Sequence, residues 1–391
     1  MKLDIIQQVH DLNISKSIYR FIGALLAALL VIAIAACRGG ESGCKPMSGD
    51  TLKLRHASLL SIVECGEYTV VDVKNPWKES LLHRYILVDK SKELPQQLPA
   101  GTTLRVPLDS ILLLSTVHAE LVCDLGCADI VKGVCEAQYM TQEPIVEALD
   151  SGAVIDCGSS LNVDLEKVVQ LSPQAVWVMP YENGGYGKLE KLPYPLVECA
   201  EYMENSPLAA AEWMRFYGRL IGKAPQADSL FSLVESSYMA LRDSVAMIAN
   251  RPTLMCELKT ASAWYVPGGS STIGRIYSDA GSDYIFSSWK QTGSVPLSFE
   301  TVLDKAADAD FWLIKYAGDE KRYSTLKNEY AGYVHFKPYR ERNIYVCNLS
   351  HKRFYAETPF RPDILLRELV AIFHPQYMNQ IELRYYEKME E

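Results

Sequence analysis

The sequence predicts an α/β protein built from two α/β lobes with a helical segment between them. Short β-rich runs alternate with helical patterns through residues 68–178. Residues 207–248 then form the longest helix-compatible stretch, dominated by Ala, Leu, Glu, Met and Arg. Beyond residue 252 the alternation of strand and helix patterns resumes, which indicates a second lobe.

The chain begins with features of an export signal. An uncharged apolar run over residues 21–36 follows Lys16 and Arg20. It is shorter than the roughly 20 residues of a membrane span, and small residues close it, as in a signal peptide. Its end, Ile-Ala-Ala-Cys37, resembles the lipobox of bacterial lipoproteins, in which the cysteine is acylated. We therefore expect residues 1–37 to be a signal peptide with a lipobox and Cys37 to carry a lipid; an ordinary signal or an uncleaved anchor is the alternative.

Residues 38–50 are polar, contain Gly, Ser and Pro, and are predicted to form a flexible tether between the membrane and the folded part. The remaining residues are enough for two domains. With 48% hydrophobic and 22% charged residues, they can bury a sizeable core. A net charge of −9, with no clustered basic stripe, argues against a nucleic-acid partner.

The chain has ten cysteines, so nine remain if Cys37 is acylated, and at least one of these is unpaired. Cys123 and Cys127 are four residues apart in a predicted helix, a spacing that suits a metal or two buried neighbours. Because no second Cys or His pair stands at metal spacing, we predict no metal site and interpret most of the thiols as buried apolar groups.

The folded part divides at the helical stretch. We expect an N-terminal α/β lobe over residues 51–205, an interlobe helical segment over residues 206–249 and a C-terminal α/β lobe over residues 250–391. Residues 47–110 are predicted to form strands joined by a turn that extend the first lobe. Ser206 followed by proline predicts the start of the first interlobe helix, and "GKAPQ" predicts a break within the segment.

An internal repeat relates the two lobes. "NVDLEKVVQLSPQAVWV" in the first aligns with "PLSFETVLDKAADADFWLI" in the second, so that Leu165 matches Phe299 and Glu166 matches Glu300. Each segment predicts a helix followed by a buried strand, with one carboxylate in the first helical turn. The helix dipole favours an acid there without any function. The repeat nevertheless indicates a pseudo-twofold protein with a ligand between its lobes.

Several separated motifs between residues 113 and 375 carry a family resemblance. "LSTVHAELVCDLGCADIVKGV", "SSLNVDLEKVVQLSPQAVWV", "NSPLAAAEWMRFYGRLIGK" and "RPDILLRELVAIFHP" follow one another in the order found in the substrate-binding lipoproteins of ABC importers for iron-siderophores and cobalamin. The resemblance implies two Rossmann-like α/β lobes joined by a rigid helix, the class III periplasmic binding protein fold. It also implies small closure on binding and docking of Glu166 and Glu300 to arginines of the permease.

From this resemblance we expect a monomeric extracytoplasmic protein, anchored to the membrane by lipid, that delivers a metal chelate to an ABC permease dimer with its ATPase. No covalent cofactor is expected. The bound ligand is expected to be a ferric siderophore or related iron complex, with haem or a corrinoid such as cobalamin as alternatives. The other candidate functions are a non-transport sensor or scaffold and an extracytoplasmic enzyme on a two-lobe fold. A permease and an ATPase encoded beside the gene would favour import over these alternatives.

The candidate ligand residues follow from position, because ligands of α/β lobes meet the loops at the carboxyl ends of the strands. Aromatic faces with polar tips suit a large planar or catecholate ligand, and an arginine can pair with its acid groups. A histidine that opens a helix is more typical of structure than of iron ligation. The candidates are Ser115, Thr116, His118, Tyr181, Glu182, Trp264, Tyr265, Tyr316, Phe360 and Arg361.

The segments that resemble enzyme motifs lack residues that those motifs require. "GGYGK" at 184–188 is similar to a phosphate loop, but Glu182 replaces the first glycine and Leu189 the hydroxyl residue. We interpret "PGGSSTIG" as a turn in which Ser271 or Thr272 caps the next helix, and not as an anion cradle. No nucleophile elbow or zinc-protease motif is present. We therefore predict that the protein is not an enzyme.

Overall fold

The computed structural model describes residues 49–378 and 381–391, and Gly49–Glu391 forms one compact unit. The predicted signal peptide, its Cys37 and most of the predicted tether lie outside the described residues. The tether prediction is wrong at its last residue, because Asp50 pairs with Glu64 in a strand. Across the part of the chain that the structure describes, no helix has both the length and the hydrophobicity of a membrane span.

The first structural element is a five-stranded sheet, here called the N-terminal sheet. Its first four strands form an antiparallel meander and the fifth joins in parallel. Strands were predicted here, but they form a sheet of their own beside the first lobe. Tyr85 makes the contact: its hydroxyl donates to Leu196 O at 3.0 Å and accepts from Glu198 N at 2.8 Å. The strands are β1 Asp50–Thr51, β2 Leu60–Glu64, β3 Thr69–Lys74, β4 Leu81–Asp89 and β5 Thr102–Val106.

The first lobe is built on a parallel sheet with the order β12-β11-β6-β7-β8. Its central strands are continuous apolar runs, as expected for strands buried on both faces. A small hairpin, β9–β10, lies beside the sheet. The elements are β6 Ile111–Leu113, α1 Thr116–Asp124, β7 Val131–Val134, α2 Glu143–Asp150, β8 Ile155–Asp156, β9 Gly158–Ser159, β10 Asn162–Val163, α3 Leu165–Leu171, β11 Ala175–Val178 and β12 Leu196–Glu198.

Three helices connect the lobes: α4 Pro207–Glu212, α5 Met214–Leu220 and α6 Ala224–Ala246. Ser206 begins the first of them as predicted, since its Oγ accepts a hydrogen bond from Ala209 N at 3.1 Å. The predicted break is confirmed at Gly222, whose φ of 72° ends the second helix. The 23-residue helix α6 then leads into the second lobe.

The second lobe repeats the architecture of the first. Its main sheet has the order β16-β13-β18-β19-β20, in which the first four strands are parallel. A three-stranded antiparallel sheet, β14-β15-β17, lies beside it. The elements are β13 Thr253–Cys256, β14 Lys259–Thr260, β15 Ala263–Pro267, α7 Thr272–Asp279, β16 Asp283–Tyr284, β17 Ser294–Leu297, α8 Phe299–Ala306, β18 Phe311–Tyr316, α9 Tyr323–Glu329, α10 Lys337–Arg340, β19 Ile344–Asn348, α11 Phe354–Glu357, α12 Pro362–Phe373 and β20 Glu387–Lys388.

The internal repeat corresponds to equivalent places in the two sheets. The order β7-β6-β11-β12 in the first lobe matches β16-β13-β18-β19 in the second. The repeated helices α3 and α8 each precede a central strand, β11 and β18 respectively. The prediction of two α/β lobes joined by a helical segment is therefore confirmed.

Candidate functional site

A cavity of about 810 Å3 opens at the carboxyl ends of the first lobe's strands. Its lining is mainly apolar and aromatic, and includes Leu161, Met179, Tyr181 and Tyr202. The side chain of Leu161 is 93% exposed and that of Tyr181 is 54% exposed. Large apolar side chains held open to solvent in a concave surface are typical of a ligand site.

A second cavity, of about 760 Å3, opens at the carboxyl ends of the second lobe's strands. Its lining combines aromatic rings with positive charge. The aromatic members are Tyr265, Tyr316 and Tyr355, and the charged members are Lys259, Lys315, Lys321, Glu257 and Glu329. Lys315 pairs with Glu257 and Lys321 with Glu329, so three lysines and two glutamates leave the lining with one net positive charge. The two lobes thus offer unlike surfaces, one mainly apolar and one charged with a net positive lining.

An ion pair between Glu257 and Lys315 lines the second cavity. Glu257 follows β13 with a φ of 66°, a left-handed conformation that costs a non-glycine residue free energy and is concentrated at functional sites. Burial alone would lower the pKa of Lys315, but Glu257 and nearby groups raise it well above the ordinary value, so the ammonium stays charged. This pair was not identified from the sequence, although each of its two members is a charged residue at the end of an apolar strand, which was a signal for it.

The lobes are held against each other by α1 and α11. Arg353, which precedes α11, places Nη1 3.0 Å from Oε1 of Glu120 on α1. Glu120 is buried, and its Oε2 also accepts from Gln142 Nε2 at 2.8 Å. This half-buried contact restricts the relative orientation of the two cavities, as a largely preformed cleft requires.

Several predicted ligand residues do line a cavity. Tyr181 lines the first-lobe cavity, while Tyr265 and Tyr316 line the second-lobe cavity. Tyr316 is mostly buried, although it lines the cavity. Glu182 is exposed and lines a neighbouring pocket beside the first-lobe cavity.

Three other candidates are corrected, because their side chains are buried in the core. His118 is fully buried, with Nε2 2.9 Å from Glu201 Oε1. Trp264 is also fully buried and donates from Nε1 to Cys256 O at 2.9 Å. Phe360 packs edge-on against an aromatic ring of α5. His118 and Trp264 come after β6 and β13 in sequence, and Phe360 precedes α12, as predicted, but neighbouring elements cover all three side chains.

The remaining three candidates lie at the N-terminal ends of helices. Ser115 caps α1, since its Oγ accepts from Val117 N at 3.3 Å, and Thr116 is the first residue of that helix. Arg361 is corrected as a free partner for ligand acids. Its Nε and Nη2 each lie 3.0 Å from a carboxylate oxygen of Asp363, in a bidentate pair.

One buried group has the composition of a metal site. The ligand atoms of His118, Cys199 and Glu201 lie within 4.8 Å of one another. Tyr217 donates from its hydroxyl to Glu201 Oε2 at 2.5 Å. Burial by itself would raise the pKa of Glu201, but His118 and Tyr217 lower it below the ordinary value. Among the described residues no group bonds to His118 Nδ1, but His118 Nε2 and both carboxylate oxygens of Glu201 have hydrogen-bond partners within the cluster, so we assign it a structural role.

Glu166 and Glu300 occupy equivalent positions on the two lobes. Each is exposed in the first turn of its helix, α3 or α8. Asp164 caps the first helix and Ser298 the second. The backbone N–H of Glu300 and the Ser298 hydroxyl lower the pKa of Glu300. Both positions present a carboxylate to solvent.

Comparison with known proteins agrees with this architecture. Residues 111–349 match the family model described as periplasmic binding protein. An uncharacterized lipoprotein of Methanocaldococcus jannaschii is 28% identical over 284 residues, which cover 70% of this chain and 67% of the relative.

Two solved structures share the fold at low sequence identity. The TroA-like periplasmic binding protein FepB of Veillonella parvula has a TM-score of 0.57 and 14% identity over 74% of this chain and 97% of its own. A periplasmic heme binding protein of Pseudomonas aeruginosa also has a TM-score of 0.57, with 13% identity over 73% of this chain and 99% of its own. Because the family model matches more than half of its residues, the chain belongs to the periplasmic binding protein family.

Proposed function

We propose that the protein is an extracytoplasmic solute-binding lipoprotein that captures a metal chelate between its lobes and delivers it to an ABC importer, without catalysis. The observation that carries this proposal is the pair of cavities at the carboxyl ends of the two lobes' strands. Ligands of open α/β sheets bind at that edge. Family membership and the fold shared with solute-binding proteins support binding over catalysis.

The unlike surfaces of the cleft indicate an amphiphilic ligand. Met179 and Tyr181 offer apolar and aromatic contact in the first lobe, whereas Lys259, and Lys321 beside its partner Glu329, offer positive charge in the second. A large chelate with a flat or apolar face and an anionic edge would satisfy both. We favour a ferric siderophore or related iron complex; haem and cobalamin are the alternatives for the same kind of importer.

Membrane attachment and permease docking complete the proposal. The lipobox-like segment at Cys37 and the description of the Methanocaldococcus relative as a lipoprotein support a lipid anchor. Glu166 and Glu300, one exposed on each lobe, would engage basic pockets of a permease dimer. Two carboxylates carried by a stiff monomer can both steer the encounter and set its orientation.

The test is a binding panel on the compact unit Gly49–Glu391. Calorimetry and tryptophan fluorescence, with inner-filter controls, would follow titration with ferric siderophores, haemin and cyanocobalamin. We expect saturable binding of one class at micromolar or tighter affinity, and replacing Lys321 by Glu should weaken it by about tenfold or more. Absence of binding across the panel would contradict the chelate assignment and favour the sensor or scaffold.

A further inference from the structure

A third cavity adjoins the first-lobe half of the cleft, and we call it the annex. It has a volume of about 500 Å3 and lies between the turn that follows β3, the loop that follows β11, and β12. Tyr181 and Tyr186 line both the annex and the first-lobe cavity. The annex therefore adjoins the proposed ligand site, with these two side chains at the boundary between the two cavities.

The N-terminal sheet supplies one wall of the annex, through Trp77 and His83. The family match begins only at residue 111, so this wall comes from a part of the chain that the family model does not include. The wall is held in place on both sides. Trp77 N donates to Asn75 Oδ1 at 2.9 Å, and His83 Nε2 lies 2.7 Å from Thr102 Oγ1.

Carboxylates and aromatic rings dominate the lining. Glu182, Glu190 and Glu198 line the annex, against one lysine, Lys78. Burial lowers the pKa of His83, which favours its neutral form. The net charge of the lining is therefore negative, in contrast to the cationic second-lobe cavity.

The Glu182 carboxylate is available to a ligand. Glu190 accepts from Tyr186 N at 2.5 Å, and Glu198 accepts from the Tyr186 hydroxyl. Among residues 49–378 and 381–391, no hydrogen bond or ion pair engages Glu182, which is exposed. Trp77 and Tyr181 line the same cavity as Glu182. A carboxylate and aromatic rings in one cavity are the chemistry that binds organic ammonium groups.

We propose that the annex is a specificity subsite of the cleft that binds an ammonium-bearing arm of the ligand. The inference rests on the proposed function for the rest of the ligand, but the chemistry of the annex can be tested without it. A ligand that spans both parts would place its cationic arm between Trp77 and Glu182 and its chelate centre between the lobes.

The first test uses tetramethylammonium chloride as the probe and the full chain, kept in solution with mild detergent and labelled with 5-fluorotryptophan. Fluorine NMR would follow the six tryptophans, with the resonance of Trp77 assigned from Trp77→Phe. We expect that resonance to shift saturably, while the resonance of Trp289, which lies under Lys305, serves as the internal control. Sodium chloride at equal ionic strength corrects for screening.

A matched pair of variants then assigns the effect. Glu182→Gln should raise the midpoint of the Trp77 shift by about fivefold, the size expected for loss of one facing charge. Glu143→Gln, a change at an exposed glutamate of α2, should leave the midpoint unchanged. A Trp77 resonance that moves no more than that of Trp289, or a midpoint insensitive to Glu182→Gln, would overturn the proposal.

The second test separates the annex from the proposed function. It compares a ferric trihydroxamate that carries a terminal ammonium group with its N-acetylated form. We expect the ammonium form to bind about fivefold more tightly, and Glu182→Gln to remove that preference. Equal affinity for the two forms would refute the annex as a subsite. If neither chelate binds while tetramethylammonium still shifts Trp77, the cargo assignment fails and the cation site stands.

Discussion

We predict that Glu212 makes one of the main stabilising contacts between the N-terminal sheet and the interlobe helices. Its side chain is fully buried in α4. Oε2 accepts from the backbone N–H groups of His56 and Ala57, each at 2.8 Å, and Oε1 accepts from Arg55 N at 3.0 Å. Arg215 Nη1 lies 3.4 Å from Oε1. One carboxylate thus satisfies three successive backbone donors of the segment before β2.

The change Glu212→Gln keeps the shape and removes the charge. The best amide orientation leaves its oxygen toward His56 and Ala57 and turns its NH2 toward the donors of Arg55 and Arg215. The two retained bonds weaken by about 1 kcal/mol each, because a bond to a charged acceptor contributes about 1.5–3 kcal/mol and a neutral one about 0.5–1.5 kcal/mol. Arg55 N also lies 3.1 Å from Oε2 and can keep that acceptor, whereas Arg215 Nη1 is left facing the NH2, a donor, which adds about 1 kcal/mol or more. We expect the free energy of unfolding to fall by about 2–4 kcal/mol.

Urea unfolding of Gly49–Glu391, followed by circular dichroism, measures this loss. Glu235→Gln is the matched control, because Glu235 holds the same segment only through side chains. It lies 3.0 Å from Arg55 Nη1 and 2.8 Å from His56 Nε2. These partly exposed ion pairs should contribute less than about 1 kcal/mol to the free energy of unfolding. A Glu212→Gln loss below about 1 kcal/mol, or equal to that of the control, would refute the reasoning.

Three further predictions concern anchoring, docking and acid stability. Cys37→Ser should abolish incorporation of labelled fatty acid, and label remaining on the variant would remove the lipoprotein proposal. Glu166→Arg and Glu300→Arg should leave ligand affinity nearly intact while abolishing uptake, because these carboxylates act on the permease. The control Glu143→Arg, at another exposed first-turn glutamate, should preserve both ligand affinity and uptake. Loss of ligand binding in Glu166→Arg or Glu300→Arg would assign that residue to the cleft or the fold. The pKa of Glu201 is lowered in the folded protein from its ordinary value of 4.5. The contribution of this carboxylate to the free energy of unfolding should therefore be complete above pH 4.5 and be lost as the pH falls below 4.5. Glu201→Gln should flatten the pH dependence of unfolding there, and an unchanged slope would contradict the assignment.

Local signals predicted the elements and their starting points well. Ser206 was expected to cap one helix and either Ser271 or Thr272 another, and Ser206 and Ser271 accept the hydrogen bonds that define a cap. The first-turn positions of Glu166 and Glu300 followed from the aligned helix-strand repeat, whereas their place on the surface was implied by the family resemblance. A cap acts within one turn of helix, and a repeat is found by comparing two segments, so the linear sequence carries both signals directly.

Contacts between distant residues were not predictable in the same way. His118 and Trp264 follow strands as ligand residues do, but packed neighbours bury them. The Glu257–Lys315 pair joins residues 58 positions apart, and the wall that Trp77 lends to the annex depends on where the N-terminal sheet packs.

The sequence by itself determined the two-lobe architecture, the helix starts and the paired first-turn carboxylates, because periodicity, capping and internal repetition can be recognised along the chain without knowledge of tertiary contacts. Only the tertiary structure decided which of the candidate side chains face the cleft, how the N-terminal sheet borders it, and where its positive and negative charges lie. The physical reason is that burial and electrostatic environment arise from all elements packed around a residue, and most of those elements are remote in sequence.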